Sequence, residues 1–205
     1  SFGNHANLRA YWKYNGEAPI PRYAEQHGLV ADCTVIGGYY GLSIGGARNI
    51  TVQRFTSRNN VRSISIQNSS SGNTLSDLIL QNSISSAVLI GYGSSDNRVV
   101  DAHAETSRAN GEALFQSIIG SKRNVFSRCS TKVTGGAPQH HFYCAIESDN
   151  CQFLDCRAEG RALLAYAAIE SAWSSRVKNR AHKGRWFGAQ LDGFSHAGMS
   201  GVVIR

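Results

Sequence analysis

The sequence predicts an all-β fold, a single-stranded parallel β-helix of about seven coils. Three observations predict it. Tyr143-Cys-Ala-Ile-Glu147 recurs as Tyr166-Ala-Ala-Ile-Glu170 after 23 residues, and Gly188-Ala-Gln-Leu-Asp192 follows 22 residues further on. A second pattern interlocks with the first: Leu75-Ser-Asp-Leu-Ile-Leu80, Val99-Val-Asp-Ala-His-Ala104, Phe126-Ser-Arg-Cys-Ser-Thr131 and Phe153-Leu-Asp-Cys-Arg-Ala158. Val177-Lys-Asn-Arg-Ala-His182 keeps only its start, and the successive spacings are 24, 27, 27 and 24 residues. Asn73, Asn97, Asn124 and Asn150 each precede the first apolar position by two or three residues, where a turn falls. Self-similarity at this period marks stacked units, none of which can bury its apolar face alone.

Taken in order, residues 1 to about 27 stand outside the repeat. Tyr11-Trp-Lys-Tyr14 and Pro19-Ile-Pro21 fit a lead-in packed on the first coil, and 28–205 forms the β-helix proper. The repeat enters at Gly28-Leu-Val-Ala31. Gly41-Leu-Ser-Ile44 and Asn49-Ile-Thr-Val52 alternate with period two, as half-buried strands do. Ser63-Ile-Ser-Ile66 and Ala87-Val-Leu-Ile90 continue one strand column. Helical spacing could be argued only for 161–171, and the match of that stretch to 143–147 argues for a strand. The register stacks Leu78, Ala102, Cys129 and Cys156 inward, the two thiols free. Two coils are lengthened, around Ser107 to Glu112 and around Thr134 to His141, and insertions in a solenoid emerge on one face. The chain stops at Val202-Val-Ile-Arg205, in what looks like the opening of another coil, so a longer polypeptide is expected.

The composition narrows the function classes. A net charge of +7 is scattered, with no basic run and no nucleic-acid motif. No apolar run is long enough to cross a bilayer as a helix. The five cysteines have no metal-ligand spacing. Neither a nucleotide-binding loop nor a serine-hydrolase or zinc-protease motif is present.

Strand parity then points to candidate site residues. With Ile146, Ile169 and Leu191 inward, Glu147, Glu170 and Asp192 form one outward column, with Tyr143 and Tyr166 in a track beside them. Carboxylates on adjacent rungs, about 4.8 Å apart, raise one another's pKa. Such a pair supplies one protonated and one ionised group, as glycoside hydrolysis requires. The structural alternative is neutralisation by Arg161 and Arg185. Glu105, Lys132, Glu159 and Lys183 form another outward track of alternating sign, which fits a salt-bridged solvated surface. His140 and His141 are expected on the extended loop before Tyr143, near the acidic face.

The stretches "GLSIGGARNITVQ" and "NCQFLDCRAEG", with the Asn turns, resemble the right-handed parallel β-helix of the pectate-lyase-like superfamily. "HHFYCAIESDNCQFLDC" is similar to segments of bacteriophage tailspikes and related polysaccharide depolymerases. The resemblance implies a homotrimeric, virion-tail or extracellular protein that binds and cleaves a bacterial surface polysaccharide, without cofactor. It implies Glu147, Glu170 and Asp192 as acid, base or nucleophile, and Tyr143, Tyr166 and Trp186 as sugar platforms. His140, His141, Arg161 and Arg185 would contact the substrate. Leu89, Phe115 and Phe194 are expected on an apolar exterior that a trimer would cover. Two alternatives stay open: a secreted polysaccharide lyase or epimerase, with Ca²⁺ in the lyase case, and a non-catalytic glycan-binding fibre segment.

Overall fold

The computed structural model describes residues 27–110, 112–138, 140–145, 148 and 150–160, together with four further strands, Ala6–Tyr11, Leu164–Ile169, Gly184–Phe187 and Ser195–Ala197. All the described structure is β, and every strand pair is parallel. In chain order the strands are β1 (Ala6–Tyr11), β2 (Gly28–Ala31), β3 (Thr34–Gly45), β4 (Ile50–Gln67), β5 (Thr74–Gln81) and β6 (Ser86–Ile90). There follow β7 (Arg98–Thr106), β8 (Ala109–Asn110), β9 (Ala113–Ile118), β10 (Val125–Ser127), β11 (Ser130–Val133) and β12 (Gly136–Ala137). The last are β13 (His140–Ala145), β14 (Cys151–Leu154), β15 (Arg157–Gly160), β16 (Leu164–Ile169), β17 (Gly184–Phe187) and β18 (Ser195–Ala197). They stack as a parallel solenoid of about five turns, fewer than the seven that the periodicity predicts. The register also departs from the predicted one late in the chain. The rung after Phe153 is Trp186, not Val177, and the rung after Ala168 is His196, so these coils consume 33 and 28 residues.

One coil shows the cross-section. Asn73 turns the chain into β5, which bends at Asp77. A corner at 82–85 leads to β6, and a second corner at 91–96 returns the chain to Asn97. The bend in β5 is repeated by Asp32, Arg54, Asp101, Arg128 and Asp155, all with φ of 50–54°. This left-handed conformation is costly for a residue with a Cβ and least so for Asp and Asn. The two arginines are held there by paired bonds to the aspartate one rung before: Arg54 to Asp32 at 2.6 and 2.8 Å, Arg128 to Asp101 at 2.7 and 2.7 Å.

The interior is a set of columns. Leu75, Val99, Phe126 and Phe153 succeed one another in the predicted register. Phe126 stacks on Phe153 with centroids 4.9 Å apart, and Phe115 on Phe142 at 5.4 Å. The two stacks meet edge to face, Phe115 with Phe126 and Phe142 with Phe153, which is a favoured aromatic geometry. Leu78, Ala102, Cys129 and Cys156 are all buried in one column, and neither cysteine is in a disulfide. Burial and the neighbouring Cys156 thiol hold the Cys129 pKa well up, so the pair packs as small apolar residues.

An amide ladder closes one corner. Asn73 donates to Asn97 Oδ1 at 2.8 Å, and Asn97 to Asn124 Oδ1 at 3.0 Å. The same oxygens accept the main-chain N–H groups of Asn73 and Asn97. Asn150 does not continue it. That residue is exposed, with φ of 54°, and belongs to the bend column with Asn49, Asp96 and Arg123. The buried residue that follows it, Cys151, takes the ladder position, and its Sγ meets Ser117 Oγ at 3.0 Å.

Other expectations shift or hold. Within the predicted lead-in, β1 adds a further rung beside β3. Phe115 is in the core, and Leu89, in a column that faces away from the core, is nonetheless covered; Phe194 lies outside the described residues. Lys132 stands between Glu105 and Glu159 in register, with Nζ 3.7 Å from Glu105 Oε1; Lys183 also lies outside the described residues. The two lengthened segments meet: β8 pairs with β12 as a separate two-stranded sheet.

Candidate functional site

Among the described residues, the side of the solenoid built by β3, β4, β6, β9 and β13 carries a connected polar cluster. Here the strands turn within the coil, so that consecutive residues face the core: Ala87 with Val88, and Leu114 with Phe115. The flanking positions form two columns on the other face. One runs Tyr40, Arg62, Ser86, Ala113, His140; the other runs Ser43, Ser65, Leu89, Gln116, Tyr143.

Arg62 is the centre of the cluster. Its Nη2 donates to Glu112 Oε1 at 2.7 Å, Nε to Ser85 Oγ at 3.4 Å and Nη1 to the Tyr40 hydroxyl at 3.4 Å. Gln116 Nε2 donates to the other Glu112 oxygen at 3.0 Å. The guanidinium lies 6.0 Å from the Tyr39 ring centroid, and Tyr39 and Tyr40 meet edge to face at 4.8 Å. The Arg62 and Glu112 side chains are only 19% and 37% exposed. Burial would raise the Glu112 pKa, but the Ser85 hydroxyl and the Arg62 charge outweigh it and hold the carboxyl below its ordinary value. Burial likewise opposes the charge on Arg62, and Glu112 more than compensates. Glu112 is therefore an ionised, fixed acceptor and not a proton donor.

His140 and His141 differ from expectation. They belong to β13 instead of a loop, and both are buried. Pairing of β13 with β9 and β16 is what draws them out of the insertion. His141 faces inward, with Nδ1 2.7 Å from Thr131 Oγ1 across the coil. Burial lowers its pKa. His140 stacks on Tyr143, centroids 4.8 Å apart. Burial, then the proximity of His141, lowers its pKa to about 4, so the imidazole is neutral at physiological pH. Burial also raises the Tyr143 pKa, keeping the phenol protonated.

The structure thus brings Tyr143 and His140 together beside Gln116, and it separates Tyr143 from Tyr166. Tyr166 registers with Phe142, and Ala167 with Tyr143, one residue away from the shared track that the repeat suggests. Trp186 registers with Phe153, and Arg185 with Gln152. Glu147, Glu170, Asp192 and Arg161 lie outside the described residues. Among the described residues no group of three or more His, Cys, Asp or Glu is placed to hold a metal ion. Sequence reasoning missed the Arg62–Glu112 pair, though Glu112 ends one of the two lengthened coils; its partner stands 50 residues earlier. Protein-family models, curated protein sequences and solved structures yield no match to this chain, so the parallel solenoid stands on its own strand register.

Proposed function

We propose that this chain binds a polysaccharide along the Tyr40-to-Tyr143 face, and that it is a tailspike-type depolymerase of a bacterial surface glycan. The observation that carries the reading is the row of partly exposed Tyr40, Arg62, Glu112 and Tyr143 along the solenoid axis, with Gln116 and His140 buried beside them. Rungs repeat every ~4.8 Å, close to the length of one pyranose unit, so a linear glycan laid along the axis meets about one rung per sugar. Tyrosine rings offer flat faces to sugar C–H groups, and the fixed guanidinium and carboxylate offer directed hydrogen bonds. The resemblance of "HHFYCAIESDNCQFLDC" to tailspike segments points the same way, and a virion or extracellular setting and a homotrimer belong to the same proposal.

Cleavage needs a proton donor, and Glu112 is locked in its ionised state by Arg62. The hydrolytic roles therefore fall to Glu147, Glu170 and Asp192, with Tyr166, Trp186, Arg161 and Arg185 as further contacts. The test is incubation with a panel of capsular and O-antigen polysaccharides, followed by analysis of product size and chain ends. Shortened chains with new reducing ends and no ultraviolet-absorbing unsaturation are expected. Unsaturated ends would replace hydrolysis with β-elimination. Binding without shortening would leave a glycan-binding fibre segment, and no binding at all would overturn the reading.

A further inference from the structure

The bends at Asp101 and Arg128 are clamped together by two parallel bonds, both 2.7 Å. Two residues beyond those bends, the same two rungs set His103 opposite Ser130 on the outer face. His103 Nδ1 lies 2.8 Å from Ser130 Oγ. His103 is exposed and Ser130 half-buried, so water could serve either group and burial does not demand the bond. The next residue, Thr131, meets His141 Nδ1 at 2.7 Å in the same kind of contact, but inside the coil, where no substrate reaches. On its other side Ser130 registers with Arg157, which is exposed and whose guanidinium has no partner among the described residues. Lys132, the next outward residue of β11, is held by Glu105. A base, a hydroxyl and a guanidinium thus stand on three successive rungs, ~4.8 Å apart, and the clamp fixes the register of the first two.

We propose that Ser130 is a nucleophile toward carboxylic esters, with His103 as its base and Arg157 facing the oxyanion. A hydroxyl within hydrogen-bond reach of an imidazole is the arrangement that activates such a nucleophile. With the ring proton on Nε2, Nδ1 accepts from the Ser130 hydroxyl. Ser130 Oγ adds to the ester carbonyl as its proton passes to His103 Nδ1. The guanidinium one rung on stabilises the negative charge that develops on the carbonyl oxygen. The alcohol leaves with the proton held by His103. Water then releases the carboxylic acid from acyl-Ser130, with His103 again the base, so one ester and one water give one alcohol and one acid. The row is open to solvent on a strand face, which suits an acyl group projecting from a polymer better than a small molecule that needs enclosure. It lies on β7, β11 and β15, apart from the Tyr40-to-Tyr143 face, and does not rest on that face binding a glycan.

Two reagents test it on the full chain: a fluorophosphonate, read by peptide mass, and p-nitrophenyl acetate, read by release of p-nitrophenolate. A phosphonyl adduct on Ser130 is expected. Ser130→Ala should remove that adduct and cut ester turnover by about 10²-fold, and His103→Gln should cut turnover nearly as far. Arg157→Gln should lower kcat by about tenfold with KM little changed, because the lost charge acts on the transition state. All three side chains reach solvent, so the melting temperatures should stay at the wild-type value. Absence of a Ser130 adduct, or equal ester turnover by wild type and Ser130→Ala, would overturn the nucleophile. Labelling of His103→Gln at the wild-type rate would remove His103 as its base, and wild-type turnover by Arg157→Gln would remove Arg157 from the site.

Discussion

The ion pairs at the bends of this solenoid and the one on its Tyr40-to-Tyr143 face are built differently. At the bends, Arg54 with Asp32, Arg128 with Asp101 and Arg123 with Asp96 join adjacent rungs through two parallel bonds, and every one of these side chains is 44–65% exposed. On the Tyr40-to-Tyr143 face, Arg62 reaches past the Ser86 rung to Glu112, and both side chains are largely withdrawn from water. The bend pairs recur because the backbone recurs. They hold a left-handed residue in place and fix which rung sits on which. Among the described residues the face pair occurs once; it is made by an insertion, and Tyr40, Ser85 and Gln116 are fixed around it. Repetition serves the fold here, and the departure from repetition collects the chemistry.

The comparison is tested most severely by activity. If the reaction belongs to the carboxylates that follow β13 and β16, Glu147→Gln and Glu170→Gln should each cut turnover of the cleaved polysaccharide by on the order of 10²-fold. Glu159→Gln, on the self-neutralised track beside Lys132, should leave turnover near the parental value. Product release measured by reducing ends checks this, and parental rates in all three would place the site elsewhere.

Next in size is Arg62→Ala. It leaves Glu112 partly buried and without its counter-charge, which should cost roughly 2 kcal/mol, less than a fully buried pair because Glu112 keeps some water. Denaturant unfolding reads that loss, and titration with the bound glycan should show weakened affinity as well.

Acid should separate the two regions by pH. His140 is depressed to about 4 from an ordinary 6.5, so the unfolded chain binds its proton first. That contribution is fully present above pH 6.5 and is lost as pH falls toward 4. His141 shifts in the same direction. Asp32, Asp96 and Asp101 are lowered from 3.8 by their arginine partners, so their contribution persists until pH drops below that value. Urea midpoints should therefore decline between pH 6.5 and 4.5 in the wild type. The decline should be smaller in His140→Gln. Equal slopes in the two proteins would remove His140 as the cause.

How much of this was legible follows from the same contrast. Leu75, Val99, Phe126 and Phe153, and Leu78, Ala102, Cys129 and Cys156, could be aligned because each position repeats its burial at every rung. The Glu105–Lys132–Glu159 track followed from that alignment. The repeat of Tyr143 at Tyr166 misled by one residue, because identity of side chain and identity of environment diverge there. The parallel register sets Tyr166 opposite the aromatic Phe142, whereas Tyr143 shares its rung with Ala167. Asn150 misled for a related reason: asparagine suits both an internal amide ladder and an exposed left-handed bend, and only pairing distinguishes them. Arg62 with Glu112 carries no motif at all. The lengthened coil pointed to the segment, and three-dimensional closure alone supplies the partner.

The smallest expected effect is the most informative about the bends. Arg128→Ala removes both bonds to Asp101, yet each partner is well solvated, and exposed pairs contribute little net stability. The midpoint of unfolding should hardly move. Arg128→Gly should do better than alanine, since glycine adopts φ of about 50° without a Cβ penalty. Arg128→Ala should therefore fall below Arg128→Gly in thermal stability, although both lose the same ion pair. If instead both variants fall together and the loss disappears in high salt, the pair itself carries the stability, and the bends and the face would differ in number only.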